Sequence, residues 1–98
     1  MKVVKTATAG TVESSDVLVT IAPQANGIEI DLNSTVEKQF GKAIRKAVIQ
    51  TLTELDIQNA AVTLVDKGAL DCVIRARVKA SAYRACQCEV YQWGGGAR

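Results

Sequence analysis

The hydrophobic period of this chain changes at Asn33, and that change constrains the fold more than any other feature. Before it, Gly27-Ile28-Glu29-Ile30-Asp31-Leu32 alternates apolar and acidic residues with period two. That is the pattern of a strand with one face buried and one face wet. After it, Val36, Phe40, Ile44, Ala47, Val48, Leu52 and Leu55 recur at three- and four-residue spacing. They form one stripe of an amphipathic helix over roughly 35–55. Ser34-Thr35-Val36-Glu37 fits a capping box at its start, the serine accepting from the first turn while the glutamate reaches back. Lys38, Lys42, Arg45 and Lys46 lie off the stripe and make a basic outer face, suited to an acidic partner or a phosphorylated cofactor if it is more than a solvated surface.

Val17-Leu18-Val19-Thr20-Ile21 is rich in β-branched residues and reads as a strand. Ahead of it, Val3 to Val12 is a looser strand candidate interrupted at Gly10, and Glu13 to Asp16 form the turn between the two. Pro23 stops the second strand, and Asn26-Gly27 is a strong turn signal. Ala61 to Val65 is a fourth short strand, broken by Asp66-Lys67-Gly68. The segment from Ala69 is ambiguous: Leu70, Cys72, Ile74, Ala76 and Val78 alternate, while Leu70, Val73, Ile74, Arg77, Val78, Ser81 and Ala85 fit a helical face. Its alanine and arginine content and its length favour helix. The order β-β-β-α-β-α predicts a small two-layer α+β domain: a mostly antiparallel sheet of about four strands with two helices on one face. The order of strands within the sheet is not in the pattern. The domain is expected over 1–88, with 89–98 as a flexible C-terminal tail.

Ninety-eight residues make one domain, and 48% apolar against 22% charged is a globular balance. The apolar runs are a few residues long, far short of a membrane span, and Met1-Lys2 leads into a polar stretch instead of a signal core. The chain reads as cytoplasmic. A net charge of +2 is too balanced for a non-specific nucleic-acid binder, and Phe40, Tyr83, Tyr91 and Trp93 form no base-stacking stripe. Cys72, Cys86 and Cys88 are an odd number, which argues against a disulfide framework. Cys86-Gln87-Cys88 has neither a histidine nor a second close pair to complete a zinc site.

There is no histidine, so Ser-His-Asp and Cys-His catalysis are excluded. A Ser-Lys pair would need a buried lysine, and Lys2 and Lys5 sit in polar surroundings. No Gly-rich phosphate loop precedes a helix. Glu29/Asp31 and Asp66/Asp71 are paired carboxylates, and Glu29 and Asp31 share the wet face of a strand, where solvated charge is the ordinary outcome. What remains is Gly10-Thr11-Val12-Glu13-Ser14-Ser15-Asp16, a short polar turn between apolar runs that presents Ser14. A displayed serine without a base is suited to being modified; the same residues also suit a plain hairpin tip. Pattern alone stops at an α+β domain presenting a serine, with a small Ser-Lys hydrolase and an interaction module as other readings.

Five segments carry a more specific signal: Ala9-Gly10-Thr11-Val12-Glu13-Ser14-Ser15-Asp16, Ile21-Ala22-Pro23, Ser34-Thr35-Val36-Glu37-Lys38-Gln39-Phe40-Gly41, Asp66-Lys67-Gly68-Ala69-Leu70-Asp71-Cys72 and Arg75-Ala76-Arg77. In order and spacing, from about residue 7 to 85, they resemble the acyl carrier (gamma) subunits of bacterial citrate lyases. The malonate decarboxylase carrier is a more distant likeness that shares the Asp-x-Gly-Ala helix entry. The resemblance implies that Ser14 is the covalent attachment point, through a phosphodiester, of 2'-(5''-phosphoribosyl)-3'-dephospho-CoA. It implies a non-catalytic carrier whose prosthetic thiol bears an acetyl thioester, exchanged for citryl with release of acetate by one partner subunit and cleaved to oxaloacetate by another. The implied partners are the alpha and beta subunits of citrate lyase and the prosthetic-group transferase, with no nucleic acid and no membrane. Tethering would keep the thioester at high effective concentration at both active sites. Glu13 and Asp16, which flank the serine, are expected to help the transferase recognise the turn.

Overall fold

The computed structural model describes residues 1–86; the tail expected at 89–98, and Cys88 with it, lie outside the described residues. Six elements follow one another: β1 (Ala7–Gly10), β2 (Val17–Ala22), β3 (Ile28–Ser34), α1 (Glu37–Glu54), β4 (Ala60–Asp66) and α2 (Asp71–Ala85). This is the α+β order expected from the pattern. The ambiguous last segment is a helix, because Ile74, Val78, Ser81, Ala82 and Ala85 are buried while Cys72 and Ala76, which a strand reading would place on the same face as Ile74, are exposed.

The sheet order is β1-β2-β4-β3. β1 with β2 and β2 with β4 are antiparallel, and β3 with β4 is parallel. The parallel pair follows from α1, which carries the chain back between two strands. β2 and β3 are therefore neighbours in sequence but not in the sheet, and Asn26-Gly27 does not close a hairpin. Gly27, at φ +76, donates its amide to Oδ1 of Asn59 at 2.7 Å, and its carbonyl accepts from the amide of Ala60 at 3.0 Å. The turn hands the chain to the start of β4 instead of back along β2.

One face of the sheet is the core face. Val17, Val19 and Ile21 of β2, Leu32 of β3, and Ala60, Val62 and Leu64 of β4 are buried against Ile44, Ala47, Val48 and Leu52 of α1 and Ile74, Val78, Ala82 and Ala85 of α2. Both helices cover this face, α2 over β1 and β2 and α1 over β3. The other face carries Thr8, Thr20, Thr63 and Asp31 in register across the four strands, with Glu29 and Asp31 exposed as the alternation predicted.

The helix start differs from expectation. β3 continues to Ser34, so α1 begins only at Glu37, without a side-chain cap. Ser34 Oγ accepts from the amide of Val36 at 3.1 Å and donates to Oδ2 of Asp66 at 2.8 Å, while Glu37 faces Arg45 at 3.5 Å. The capping box is thus replaced by a tie between strands, because β3 holds Ser34 beside Asp66 and the helix starts too late for Ser34 to sit at its cap. Phe40 also leaves the predicted stripe and is 51% exposed. Asp66 itself is 1% exposed, and its Oδ1 accepts from the amide of Ala69 at 2.9 Å. It joins the C-terminal ends of β3 and β4 to the entry of α2.

Candidate functional site

The loop between β1 and β2 is built from backbone outward. Gly10 has φ +101, and a Cβ there would stand 1.9 Å from the carbonyl oxygen of Val17, so only glycine lets the hairpin close. The amide of Asp16 donates to the carbonyl of Glu13 at 3.1 Å, closing a four-residue turn with Ser14 and Ser15 at its centre. Ser15 takes the left-handed conformation, φ +66. Thr11 Oγ1 accepts from the amide of Glu13 at 3.2 Å and donates to Asp16 Oδ2 at 2.7 Å. The segment after β4 clamps the turn: the Ser15 amide donates to the Lys67 carbonyl at 2.8 Å, and the Lys67 amide donates to the Asp16 carbonyl at 2.9 Å. The backbone on both sides of Ser14 is held, while its hydroxyl is exposed and makes no hydrogen bond among the described residues.

Asp16 is the anchor of the turn. Its carboxylate accepts from Arg77 Nε at 3.1 Å and Nη2 at 2.9 Å, from Thr11, and from the amide of Val17 at 2.7 Å. The Arg77 guanidinium foremost, then the Thr11 hydroxyl and the Val17 amide, hold this carboxyl well below the usual carboxylate range. Only 15% of the side chain is exposed, so Asp16 is turned inward onto α2 and Glu13 is the acid left on the surface of the turn. The expectation that both acids face a transferase gives way here, because the four donors around Asp16 leave its oxygens occupied. In sequence Arg77 falls on the helical face of α2 with Leu70, Val73, Ile74 and Val78. A cation interrupting an apolar stripe signals an acidic partner. Lys67 acts through its backbone, which no side-chain pattern reveals.

The sign of the Asp16 effect on stability follows from its depressed pKa. The stabilisation is complete above the pKa of the unfolded carboxyl, about 4, and is lost as pH falls through the lower folded value. Asp16→Asn is expected to melt below the parent at neutral pH, with the gap narrowing as pH drops below about 4. Thermal scans of both proteins between neutral and strongly acid pH check this; a gap independent of pH would deny the carboxylate its role.

The other sequence candidates lie apart from Ser14. The amides of Val4 and Lys5 bond to the carbonyl of Ala85 at the C-terminal end of α2, while the serine turn is clamped beside its N-terminal end, so Lys5 is not placed to activate Ser14. Lys38, Lys42 and Lys46 are exposed on α1, and Arg45 is paired with Glu37. Among the described residues no helix is long and apolar enough to cross a membrane.

Comparison with known proteins gives the turn its context. A family model described as the malonate decarboxylase delta subunit (MdcD) acyl carrier matches residues 4–85. The citrate lyase acyl carrier protein of Vibrio cholerae serotype O1 (strain M66-2) is 54% identical over 94 residues, covering 95% of this chain and 96% of its own. That of Streptococcus mutans serotype c is 51% identical over 94 residues, covering 95% and 92%. That of Cronobacter sakazakii is 50% identical over 93 residues, covering 95% and 96%. In structure, a chain of a Pseudomonas malonate decarboxylase hetero-tetramer superposes with a TM-score of 0.69 at 19% identity, over 83% of this chain and 84% of that one, a likeness of fold. Identity of this extent over nearly the whole length means that the chain belongs to the citrate lyase acyl carrier protein family, within the acyl carrier family that also includes the malonate decarboxylase subunit.

Proposed function

We propose that this chain is the non-catalytic acyl carrier subunit of a cytoplasmic citrate lyase, and that Ser14 bears its prosthetic group, phosphoribosyl-dephospho-coenzyme A. One observation carries the assignment of the residue: the Ser14 hydroxyl is exposed and unbonded among the described residues, on a backbone clamped from both sides. A group as large as this needs such a site, since a buried or bonded hydroxyl would have to break contacts before accepting a phosphodiester. The residues fit it: nothing crowds the hydroxyl, and the turn keeps its shape through Asp16, Lys67 and Gly10 without help from the Ser14 side chain. When attached, the group supplies a thiol that carries the acyl thioester. The protein supplies a fixed root for the arm and, having no histidine, no imidazole base beside it. Identity of about half to the citrate lyase carriers, over 95% of the chain, favours citrate over malonate as the acid served. The partners are then the alpha and beta subunits of that lyase and the transferase that attaches the group.

A peptide map of the protein purified from its own host tests this. The expected result is the mass of the prosthetic group on the peptide containing Ser14, located by fragmentation. An active complex without it, or with it on another residue, overturns the assignment, and labelling of Ser14 by a fluorophosphonate probe would point to a hydrolase instead.

A further inference from the structure

The exposed Phe40 has a structural cause. Arg75 Nη2 donates to Gln50 Oε1 at 2.7 Å, and Lys79 Nζ lies 3.9 Å from Glu54 Oε1. Each pair joins residues 25 positions apart, so Asp71, the first residue of α2, is level with residue 46 of α1. The first turns of α1 therefore have no helix beside them. The space left is an apolar groove of about 360 Å³ between Val36, Phe40 and Ile44 on one side and Ala69, Leu70 and Ile74 on the other. Phe40 is 51% and Leu70 69% exposed at its edges. Large apolar side chains in a joined, uncovered patch point to an occupant.

Position and charge say which one. The loop that forms the groove wall starts at Gly68, next to Lys67, whose carbonyl and amide hold Ser15 and Asp16. Ser14 is thus one residue from a backbone clamp that is itself one residue from the groove wall, within reach of a long flexible group. The carboxylates that flank the groove are already engaged, Asp16 by Arg77, Asp66 by Ser34 and the Ala69 amide, Asp71 by Arg75 at 2.6 Å, and Glu37 by Arg45, which leaves Glu13 on the serine turn as the nearby acid without a partner among the described residues. Lys67, next to Gly68, and Lys46, three residues beyond Ala43 on α1, are exposed and without an acidic partner among the described residues. An apolar slot with an accessible aromatic ring and unpaired cations at its margins is the chemistry that receives a nucleotide: the base in the slot, the phosphates on the lysines.

We propose that this groove is the resting place of the nucleotide portion of the group carried on Ser14. The proposal rests on the attachment argued above. Tethering supplies an effective concentration of about millimolar, so weak recognition suffices, and a weak hold lets the arm leave for the partner active sites. Phe40 and Leu70, which contribute little to the core, are then kept apolar for the arm.

Amide NMR spectra of the whole chain, before and after loading, test it. Loading is expected to shift Phe40, Ala69, Leu70 and Ile74 as well as the turn; shifts confined to residues 11–17 overturn it. Independently of where the group is attached, 3'-dephospho-coenzyme A titrated into Ser14→Ala should shift the same groove amides saturably. Adding Phe40→Ala, a substitution at an exposed position, should weaken that binding about tenfold. Absence of groove shifts in the titration overturns the proposal, as does movement of those amides only when a lyase subunit is added, which would make the groove a protein contact. A failed attachment reading shows separately, as a peptide map without the group on Ser14.

Discussion

Ser14→Ala is expected to abolish loading completely, while Ser15→Gly loads at the parent rate. The two hydroxyls are adjacent, and chemistry alone does not separate them. The turn does. Ser15 has φ +66 and its amide is bound to Lys67, so what the fold requires of it is a backbone conformation and an N–H, both of which glycine provides without strain. Ser14 contributes to the fold neither a side-chain bond nor an unusual dihedral. Its replacement by alanine should change stability by less than about 0.5 kcal/mol, as for an ordinary surface site. The measurement is intact mass after incubation with the attaching transferase and the prosthetic-group precursor. Loading of Ser14→Ala, or failure of a folded Ser15→Gly to load, would move the attachment site. Folding controls are built in, because neither substitution removes a hydrogen bond that the structure contains.

Asp66→Ala is expected to be the most destabilising single substitution considered. Asp66 is buried, and its two oxygens serve donors on two different segments, Ser34 at the end of β3 and the Ala69 amide at the entry of α2. Removing it orphans both, at about 1–3 kcal/mol each, so the loss is about 2–6 kcal/mol, a large part of what a small domain possesses. Urea unfolding, with an unchanged slope, checks it. Asp66→Asn keeps one acceptor and should fall between the two. A loss under about 0.5 kcal/mol, the scale of an ordinary surface site, would mean that water replaces the carboxylate. The effect should also reach the serine turn, because Lys67 is the next residue and holds both Ser15 and Asp16. Amide exchange at residues 14–17 should quicken more than exchange in the middle of α1.

What was legible in the residues was local. The period-two run of β3, the three- and four-residue stripe of α1 and the β-branched run of β2 each report a periodicity imposed by a single buried face, so their existence and order could be read directly. The Ser14 turn was legible for a similar reason: glycine, serine and aspartate between apolar runs satisfy backbone groups within a few residues of themselves. The misreadings all involved a neighbour distant in sequence. Ser34 fits a helix cap because Glu37 follows it, but its hydroxyl donates to Asp66, 32 residues on. Phe40 fits the stripe of α1 and is exposed because α2 starts too far along to cover it. Asp16 flanks the serine as a recognition element would, and is bound by Arg77, 61 residues away.

The sequence by itself determined the class of fold, the order of its elements and the serine that is presented, because each of these is written in spacing over less than about one turn or one strand. Tertiary structure decided the rest. It placed β3 beside β4 instead of β2, since α1 returns the chain in parallel. It set the turn on Lys67 and Arg77, so that Asp16 is held inward while the Ser14 hydroxyl stays exposed. It left the groove open between the helices. Pairings of this kind depend on which segments meet, and a local pattern carries no record of the meeting.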